Sequence, residues 1–428
     1  MKIIENDRDW KKFITEFEEN DSIVIPIQSD DNKHPCDTKL SLLYVNIKDK
    51  EFILPFNHSE SLNLPEEYLN KIKSSNKKYT YDKKKLLHFV NWENVIDLNL
   101  NYYMNKNESF YIEDITTAAH RFFYSKFYNQ DNINTIIPIM KHLESCHKLT
   151  KLFKEKNEVL SDCVNLSYNN KVLENLQYIE SNGLQTLDGM VYSEYNPYTS
   201  TGRPSNRFGG INFAALNKKD GSRKPFVSRF EDGVLVEMDY DGYHLRLIAD
   251  KVGYEFPEGS VHEYMAKFYG CDYGESKQKS FQYLYGGIPM DVVQLNPFFS
   301  KVYDFIEHFW KVYKEKDFVK SDIYNKKIYK KNLSDMNKNK LFNYFIQLME
   351  TENNMKMLTS LIPQLDGYES KLILYSYDSF LFDFNIDDGL DYLKKVKGVI
   401  EQNGKYPVKV GWGNSYHDMK DITEKFVD

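Results

Sequence analysis

The stretch that most constrains the fold runs from Val234 to Asp250 and reads VLVEMDYDGYHLRLIAD. Its apolar residues continue to Met238 without a breaker, as in a buried strand, and the carboxylate Asp239 follows directly. From Tyr240 onward the apolar residues change to helical spacing. A carboxylate that ends a buried strand can hold a metal ion at the edge of a sheet, although an aspartate capping the next helix gives the same pattern.

A second stretch, Lys371 to Phe384, reads KLILYSYDSFLFDF and is β-prone almost throughout. The residues Asp378 and Ser379 interrupt it, which predicts a buried hairpin with both residues at its turn. A carboxylate among so many aromatic residues is costly unless a cation pairs with it, and a cation shared with Asp239 would do so. Two aspartates on neighbouring strands, holding two divalent ions about 3.5–4 Å apart, form a clamp for in-line phosphoryl transfer.

Further motifs occur in a fixed order along the chain. They are TSTGRPSNRFGGINFAAL (Thr199 to Leu216), Lys277-x3-Phe281-x3-Tyr285 within SKQKSFQYLYGG, Asn343-x3-Gln347, and GWGNSYHDM near the C-terminus. Together with Asp239-Tyr240 and Tyr377-Asp378-Ser379, they resemble the motifs of the family A DNA polymerases, the group of the bacterial repair polymerase and several phage replicases. The resemblance runs from about Thr199 to His417 and covers the C-terminal half.

This resemblance implies an α+β multidomain protein, a right-hand polymerase with palm, fingers and thumb, preceded by a small RNase H-like α/β domain. It places a degenerate 3′-5′ exonuclease-like domain at residues 1–113 and a reduced, helical thumb at 114–190. Palm and fingers follow at 191–428, with the fingers at about 255–340.

The resemblance also implies roles for individual residues. The catalytic residues are Asp239, Asp378 and Lys277, and Asp239, Asp378 and Tyr240 bind two Mg²⁺ ions, for which Mn²⁺ can substitute. The nucleotide contacts are His244, His262, Lys277, Phe281, Tyr285 and Tyr240. The primer-template contacts are Arg203, Arg223, Lys224, Asn343, Gln347 and Tyr377.

Helical spacing supports one of these sets from the residues themselves. Lys277, Phe281 and Tyr285 follow at i, i+4 and i+8, so they share one face of a helix, where an ammonium can meet phosphates and a ring can stack on a base. An ordinary amphipathic helix with a solvent-reaching lysine is the alternative. For Arg203 the alternative is a salt bridge inside the palm, and for Arg223 and Lys224 it is plain surface charge.

Three positions depart from the family pattern. His244 stands where a glutamate normally excludes a 2′-hydroxyl, so we expect DNA synthesis with less secure rejection of ribonucleotides. Tyr273 replaces an arginine one turn before the lysine, which predicts weaker triphosphate binding. Ser379 replaces a second carboxylate, as in the single-subunit RNA polymerases, and we expect metals and mechanism to be unchanged.

The N-terminal residues read as an α/β domain. Asp7 to Glu19 is predicted as a helix, and Ser22–Ile27, Leu40–Ile47 and Glu51–Pro55 as strands. An exonuclease of this kind needs Asp-x-Glu on its first strand, where this chain has Pro26 and Gln28, neither of which binds a hard cation well. A later acidic position is kept as Asp82, but one carboxylate cannot hold two metals. We therefore expect an exonuclease-like fold without exonuclease activity, with an unrelated α/β domain as the alternative.

Composition limits the classes of function. A formal net charge of −7 and a pI near 5.9 argue against a general polyanion-binding surface, but a basic channel and an acidic exterior can cancel in the sum. The 4 cysteines form no C-x-x-C, which favours a reduced, cytoplasmic protein, and no apolar run approaches the ~18 residues of a membrane span. We expect a monomer in a bacterial host cytoplasm, working with primer-template DNA, dNTPs and a processivity or replisome partner.

The predicted function is template-directed extension of a primer 3′-hydroxyl with dNTPs, without proofreading. Two alternatives stay open. One is a ribonucleotide-tolerant polymerase, suggested by His244, and the other is a catalytically inactive, polymerase-like protein that binds nucleic acid, suggested by Tyr273, His244 and Ser379. The retention of Asp239, Asp378 and Lys277 argues against the inactive alternative, because buried carboxylates are costly to keep together.

Overall fold

A computed structural model describes residues 2–72, 75–106, 131–161, 166–206 and 210–426. The chain divides into two compact units, Met1–Ser181 and Asn182–Asp428. Within the described residues, no helix combines the length and the apolar character that crossing a membrane requires.

The N-terminal unit is built on a six-stranded sheet in the order β1-β4-β3-β2-β5-β6. Its strands are β1 (Lys2–Ile3), β2 (Ser22–Gln28), β3 (Leu40–Ile47), β4 (Lys50–Pro55), β5 (Lys78–Thr80) and β6 (Val95–Asp97). Strands β2, β3 and β4 form an antiparallel meander, whereas β5 runs parallel to β2 and β6 parallel to β5. The strands predicted at the start of the chain are confirmed to within one residue at each end.

The helices that begin in this unit are α1 (Asp7–Glu19), α2 (Glu67–Lys71), α3 (Lys83–Leu87), α4 (Leu98–Lys106), α5 (Ile139–Ser161) and α6 (Leu166–Asn182). Helix α1 has the predicted bounds and buries Trp10, Phe13 and Phe17, while the Asn6 side chain caps it by accepting from the Asp9 backbone N–H. Every position of β3 is buried, since both faces of the sheet are covered.

The predicted thumb, 114–190, is only partly described, because residues 114–130 and 162–165 lie outside the described ranges. Its described part contains helices α5 and α6. Helix α6 ends at Asn182, and the residues after it form the strands β7 (Leu184–Thr186) and β8 (Gly189–Val191). The helical prediction is therefore wrong for the last residues of this range, where Gly183, with φ +56°, ends the helix.

The C-terminal unit is built on a five-stranded antiparallel sheet in the order β15-β16-β12-β17-β18. Its strands are β12 (Val234–Tyr240), β15 (Lys371–Ser376), β16 (Ser379–Phe384), β17 (Val408–Gly413) and β18 (Lys420–Asp421). Small two- and three-stranded sheets contain β7 and β8 together with β9 (Tyr195–Asn196), β10 (Ser205–Asn206), β11 (Phe226–Val227), β13 (Phe318–Lys320) and β14 (Lys327–Tyr329).

The helices of this unit are α7 (Tyr243–Val252), α8 (Val261–Tyr269), α9 (Tyr273–Gly286), α10 (Met290–Leu295), α11 (Pro297–Glu315), α12 (Lys338–Leu361) and α13 (Gly389–Ile400). One apolar core joins α7, α8, α9, α11 and α12 through residues such as Leu245, Met265, Leu284, Phe299 and Ile346. This shared core fixes the helices that carry the predicted nucleotide contacts relative to the end of β12.

Candidate active site

Asp239 lies near the end of β12, the central strand of the sheet. It pairs in register with Ser379 of β16 and Lys409 of β17, and its side chain is half-buried. The chain then turns at Gly242, whose φ is +62° and where an added Cβ would lie 3.2 Å from the Val261 Cβ. The tight turn starts α7 at once, so the predicted change from strand to helix is confirmed.

Asp378 lies in the two-residue turn that joins β15 to β16. Tyr377 precedes it with φ +60°, and the Asn354 amide of α12 holds this turn by donating to the Tyr377 carbonyl at 2.7 Å. The backbone N–H of Tyr240 donates to the Asp378 carbonyl at 3.0 Å, which ties the turn to the end of β12. Ser379 begins β16 rather than lying in the turn, so the predicted turn is offset by one residue.

The two carboxyl groups lie close enough to repel each other. Burial raises the pKa of Asp239, and Asp378 and Glu237 raise it further, while Lys218 and Lys277 oppose the shift. Asp378 is exposed at the surface of the site. The protein around its carboxyl group still displaces water and so raises its pKa, and the negative charge of Glu350 raises the pKa further. Such a pair of oxygen ligands gains from a shared divalent cation, so its chemistry fits Mg²⁺ or Mn²⁺.

Helix α9 presents the predicted nucleotide face. Lys277 is exposed, and the rings of Phe281 and Tyr285 stack in parallel with centroids 5.7 Å apart and an interplanar angle of 3°. Lys279 belongs to another face, where it pairs with Glu275 at 2.8 Å. On this helix, the Lys277 ammonium acts electrostatically on Asp239, and the rings of Phe281 and Tyr285 form a flat aromatic surface on the same face.

His262 and Tyr240 are both buried. Burial lowers the pKa of His262 to about 4, so its imidazole is neutral near pH 7 and any phosphate contact would be a hydrogen bond without charge. Tyr240 stacks on Tyr243 at 4.0 Å, and its hydroxyl donates to the Ile400 carbonyl at 2.8 Å. Only the backbone of Tyr240 is left for a contact with metal or nucleotide.

His244 lies in the first turn of α7, and Glu350 lies beside it in α12. The Glu350 side chain is 1% exposed, with the His244 Nε2 at 3.2 Å and the Arg203 Nε at 2.9 Å. The guanidinium of Arg203 also lies 3.6 Å from the centre of the Tyr377 ring, and His244 Nδ1 meets the Tyr285 hydroxyl. No sequence motif pointed to Glu350, although its spacing from Gln347 and Asn343 puts all of them on one helix face.

A second missed residue is Lys409, which sits opposite Asp239 in the strand register. Its ammonium donates to the Tyr273 hydroxyl at 2.8 Å and lies 3.3 Å from a carboxylate oxygen of Asp241. Burial alone would lower the pKa of Lys409, but the hydroxyl and the carboxylate raise it, so the ammonium keeps its charge. Tyr273, for which the resemblance to family A polymerases implied an arginine, thus holds a cation from a neighbouring strand.

The remaining predicted primer-template residues differ in their surroundings. Lys224 is exposed, and Asn343 and Gln347 are half-buried on α12, where the Asn343 amide donates to the Tyr285 carbonyl at 3.5 Å. Arg223 is not where the sequence suggested. Its guanidinium is buried, donates to the Leu216 carbonyl at 3.1 Å, lies 3.6 Å from Glu237 and covers the Tyr416 ring. These internal partners explain why it does not face outward to a phosphate.

The N-terminal unit uses its polar side chains differently. The Gln28 amide donates to the backbone carbonyls of Asp30 and Lys33 at 2.6 and 3.0 Å, and Pro26 pairs with Leu43 inside the sheet. The Asp82 carboxylate accepts from the Lys85 N–H and caps α3. These side chains act on the local backbone rather than converging on a common point.

His34, His88 and Glu180 form a separate cluster in this unit, in which Glu180 is buried and both histidines are half-buried, with candidate ligand atoms within 4.8 Å of one another. The members of this cluster also have partners within the protein. His34 Nδ1 accepts from the Cys36 N–H at 3.2 Å, and the Glu180 carboxylate lies 3.1 Å from His88 Nε2 and 2.5 Å from the Lys84 ammonium. Burial would raise the pKa of Glu180, but the Lys84 ammonium and the His88 imidazole hold it below its ordinary value.

The similarity of this protein to known proteins is visible in its structure and not in its sequence. No protein-family profile matches this chain, and a search of characterised proteins finds no sequence relative. Among solved structures, the POL domain of Pol1 from M. smegmatis, in complex with DNA primer-template and dNTP, superposes with a TM-score of 0.69 and 12% sequence identity. The fold is a polymerase fold. The superposition covers 97% of this chain and 99% of that domain, and the α+β architecture matches a family A polymerase domain.

Proposed function

We propose that this protein is a template-directed DNA polymerase, which extends a primer 3′-hydroxyl with dNTPs. The observation that carries the proposal is the pair of Asp239 and Asp378 on a polymerase fold. The two residues are tied together at the end of β12, and the pKa of each is raised. The Pol1 domain was solved with primer-template and dNTP, which supports the same ligands here.

The reaction is an in-line transfer at the α-phosphate. The primer 3′-oxygen bonds to the α-phosphorus, the bond between the α- and β-phosphates breaks, and the hydroxyl proton passes to water. Divalent cations, when bound to Asp239, Asp378 and the Tyr240 carbonyl, would supply Lewis acidity for the attacking and leaving oxygens. Lys277 places an ammonium next to these charges, where it can neutralise the triphosphate and protonate the leaving pyrophosphate.

Other residues of the site hold the substrates. The parallel rings of Phe281 and Tyr285 offer a surface on which the incoming base stacks. His244 lies against Tyr285 and takes the role of excluding a 2′-hydroxyl. Arg203 and Tyr377, with Asn343 and Gln347 of α12, serve the primer-template.

The N-terminal unit is assigned as an RNase H-like domain without exonuclease activity. Its meander β2-β3-β4, followed by the parallel strands β5 and β6 on the other side of β2, supports the RNase H-like order. The loss of activity follows from Pro26 and Gln28, which leave the first strand without hard-cation ligands.

Primer extension tests the proposal. A 5′-labelled primer-template is incubated with the protein and Mg²⁺, with dNTPs in one reaction and rNTPs in another. We expect a ladder of longer primers in the reaction with dNTPs and no extension in the reaction with rNTPs. Extension in both reactions would identify a ribonucleotide-tolerant polymerase, and binding without extension in either would identify an inactive nucleic-acid-binding protein.

The substitution K409A should weaken nucleotide binding. Lys409 keeps its charge opposite Asp239 in the strand register, and we infer that it also contacts a phosphate of the bound nucleotide. We therefore expect KM for dNTP to rise about tenfold with a smaller change in kcat, because that charge-assisted contact is lost while the reacting groups stay in place. Steady-state single-nucleotide incorporation measures both constants. K405A is the matched control, since Lys405 pairs with Asp250 on an exposed surface. Equal KM values for K409A and wild type would remove Lys409 from the nucleotide site.

The pH profile should show competition between protons and metal. Both carboxyl groups have raised pKa values, so they take up protons at a higher pH than ordinary aspartates, and activity falls as the pH decreases through that range. Because a cation binds only the ionised pair, raising the Mg²⁺ concentration should move the acidic limb to lower pH. A limb that stays at the same pH at every Mg²⁺ concentration would contradict this assignment.

A further inference from the structure

Glu350 is a buried carboxylate on which side chains from separate segments converge. Arg203 approaches from the loop before β10, His244 from the start of α7, and both lie within 3.2 Å of its oxygens. Behind them lie Tyr377 of the β15–β16 turn and Tyr285 of α9. One carboxylate thus links the groups assigned to the sugar, the incoming base and the primer-template.

The His244 ring lies between two groups of the site. Its Nδ1 meets the Tyr285 hydroxyl on one side, and its Nε2 lies 3.2 Å from a Glu350 carboxylate oxygen on the other. The second contact is a close charge contact rather than an aligned hydrogen bond. The ring is held from both sides, so its orientation depends on the carboxylate.

Keeping an anion here has an electrostatic cost. The charge of Glu350 raises the pKa of Asp378, a group that the proposed reaction needs in its ionised form. In the hairpin, the neutral Ser379 follows Asp378. The negative charge that acts on Asp378 comes from Glu350 of α12 instead. The arrangement places that charge where it contacts His244 and Arg203.

We propose that Glu350 is a positioning residue that sets selection against ribonucleotides by holding the His244 ring in place. This inference rests on the polymerase activity proposed above. The carboxylate orients the ring from behind, and the ring occupies the space that a 2′-hydroxyl would need. Without the charge, Arg203 loses its ion-pair partner and the imidazole can turn.

The variant E350Q keeps the size of the side chain and removes its charge. We expect the ratio of kcat/KM for dNTP to kcat/KM for rNTP to fall about tenfold, the loss typical of one orienting contact. E352Q is the matched control. Glu352 is equally buried on the same helix, but it contacts Ser321 and the Tyr324 N–H instead of Arg203 and His244. The control should keep the wild-type ratio.

A double mutant tests whether Glu350 acts through His244. In an H244A background, adding E350Q should change the sugar ratio no further, because the ring it positions is gone. A wild-type ratio in E350Q, or a second full loss on top of H244A, would overturn the inference while leaving the polymerase proposal intact. Failure of the wild-type protein to extend a primer with either nucleotide would overturn both.

Discussion

The variants D239N and D378N should each lose at least about 10³-fold in the rate of primer extension while binding primer-template as the wild type does. Each substitution removes one charged oxygen ligand from the pair at the end of β12, and the transition-state charge loses several kcal/mol of stabilisation. Single-turnover incorporation of one dNTP gives the rate, and fluorescence anisotropy of a labelled primer-template gives the affinity.

Stability provides the control for folding in these variants. Burial raises the pKa of both carboxyl groups above the unfolded value, with Asp378 adding to the shift of Asp239 and Glu350 adding to that of Asp378, so their ionised forms destabilise the metal-free protein near neutral pH. Replacing one by a neutral amide should leave Tm unchanged or higher. D232N, in the exposed turn before the same strand, should keep full activity. Extension at wild-type rates by D239N or D378N would contradict the assignment of the catalytic pair.

The variant K277A should lower kcat by about 10²–10³-fold and raise KM for dNTP as well. Lys277 is the exposed ammonium on the face of α9 that carries Phe281 and Tyr285, and its charge reaches Asp239. General acid catalysis to a leaving group is worth about 10²–10⁴-fold, and the same ammonium neutralises phosphate charge in the bound state. Pre-steady-state incorporation separates the chemical step from nucleotide binding.

K279A is the matched control for this experiment. Lys279 is on the same helix two residues later, but it pairs with Glu275 on another face. We expect its kinetic constants to equal those of the wild type. If K279A lost as much activity as K277A, the effect would come from the charge of the helix as a whole, and Lys277 would have no specific role.

Local sequence patterns predicted the elements that carry the site. The apolar run before Asp239 predicted strand β12, and the helical spacing after it predicted helix α7. The β-prone stretch around Asp378 predicted the β15–β16 hairpin. Each of these depends on neighbours in the chain, since side-chain period follows directly from backbone geometry. The sequence did not predict that the hairpin turn lies at Tyr377 and Asp378 rather than one residue later. Tyr377 adopts φ +60°, a conformation that is uncommon for tyrosine.

The contacts between distant segments were not predictable in the same way. Arg223 looked like an outward basic residue beside Lys224, and only Glu237 and Tyr416, brought close by the fold, make it an internal group. Lys409 enters the site through strand register with Asp239, which no local pattern encodes. Glu350 likewise becomes important only because Arg203 and His244, far from it in sequence, approach its carboxylate.

We propose that this chain copies a DNA template at the Asp239–Asp378 pair. The test uses four primer-templates that differ only in the first templating base, each incubated with Mg²⁺ and one dNTP at a time. We expect the wild-type protein to add the complementary nucleotide in each case at least about 10²-fold faster than any other, and D378N to add none at a comparable rate. Addition that ignores the templating base, or no addition to a bound primer, would contradict it.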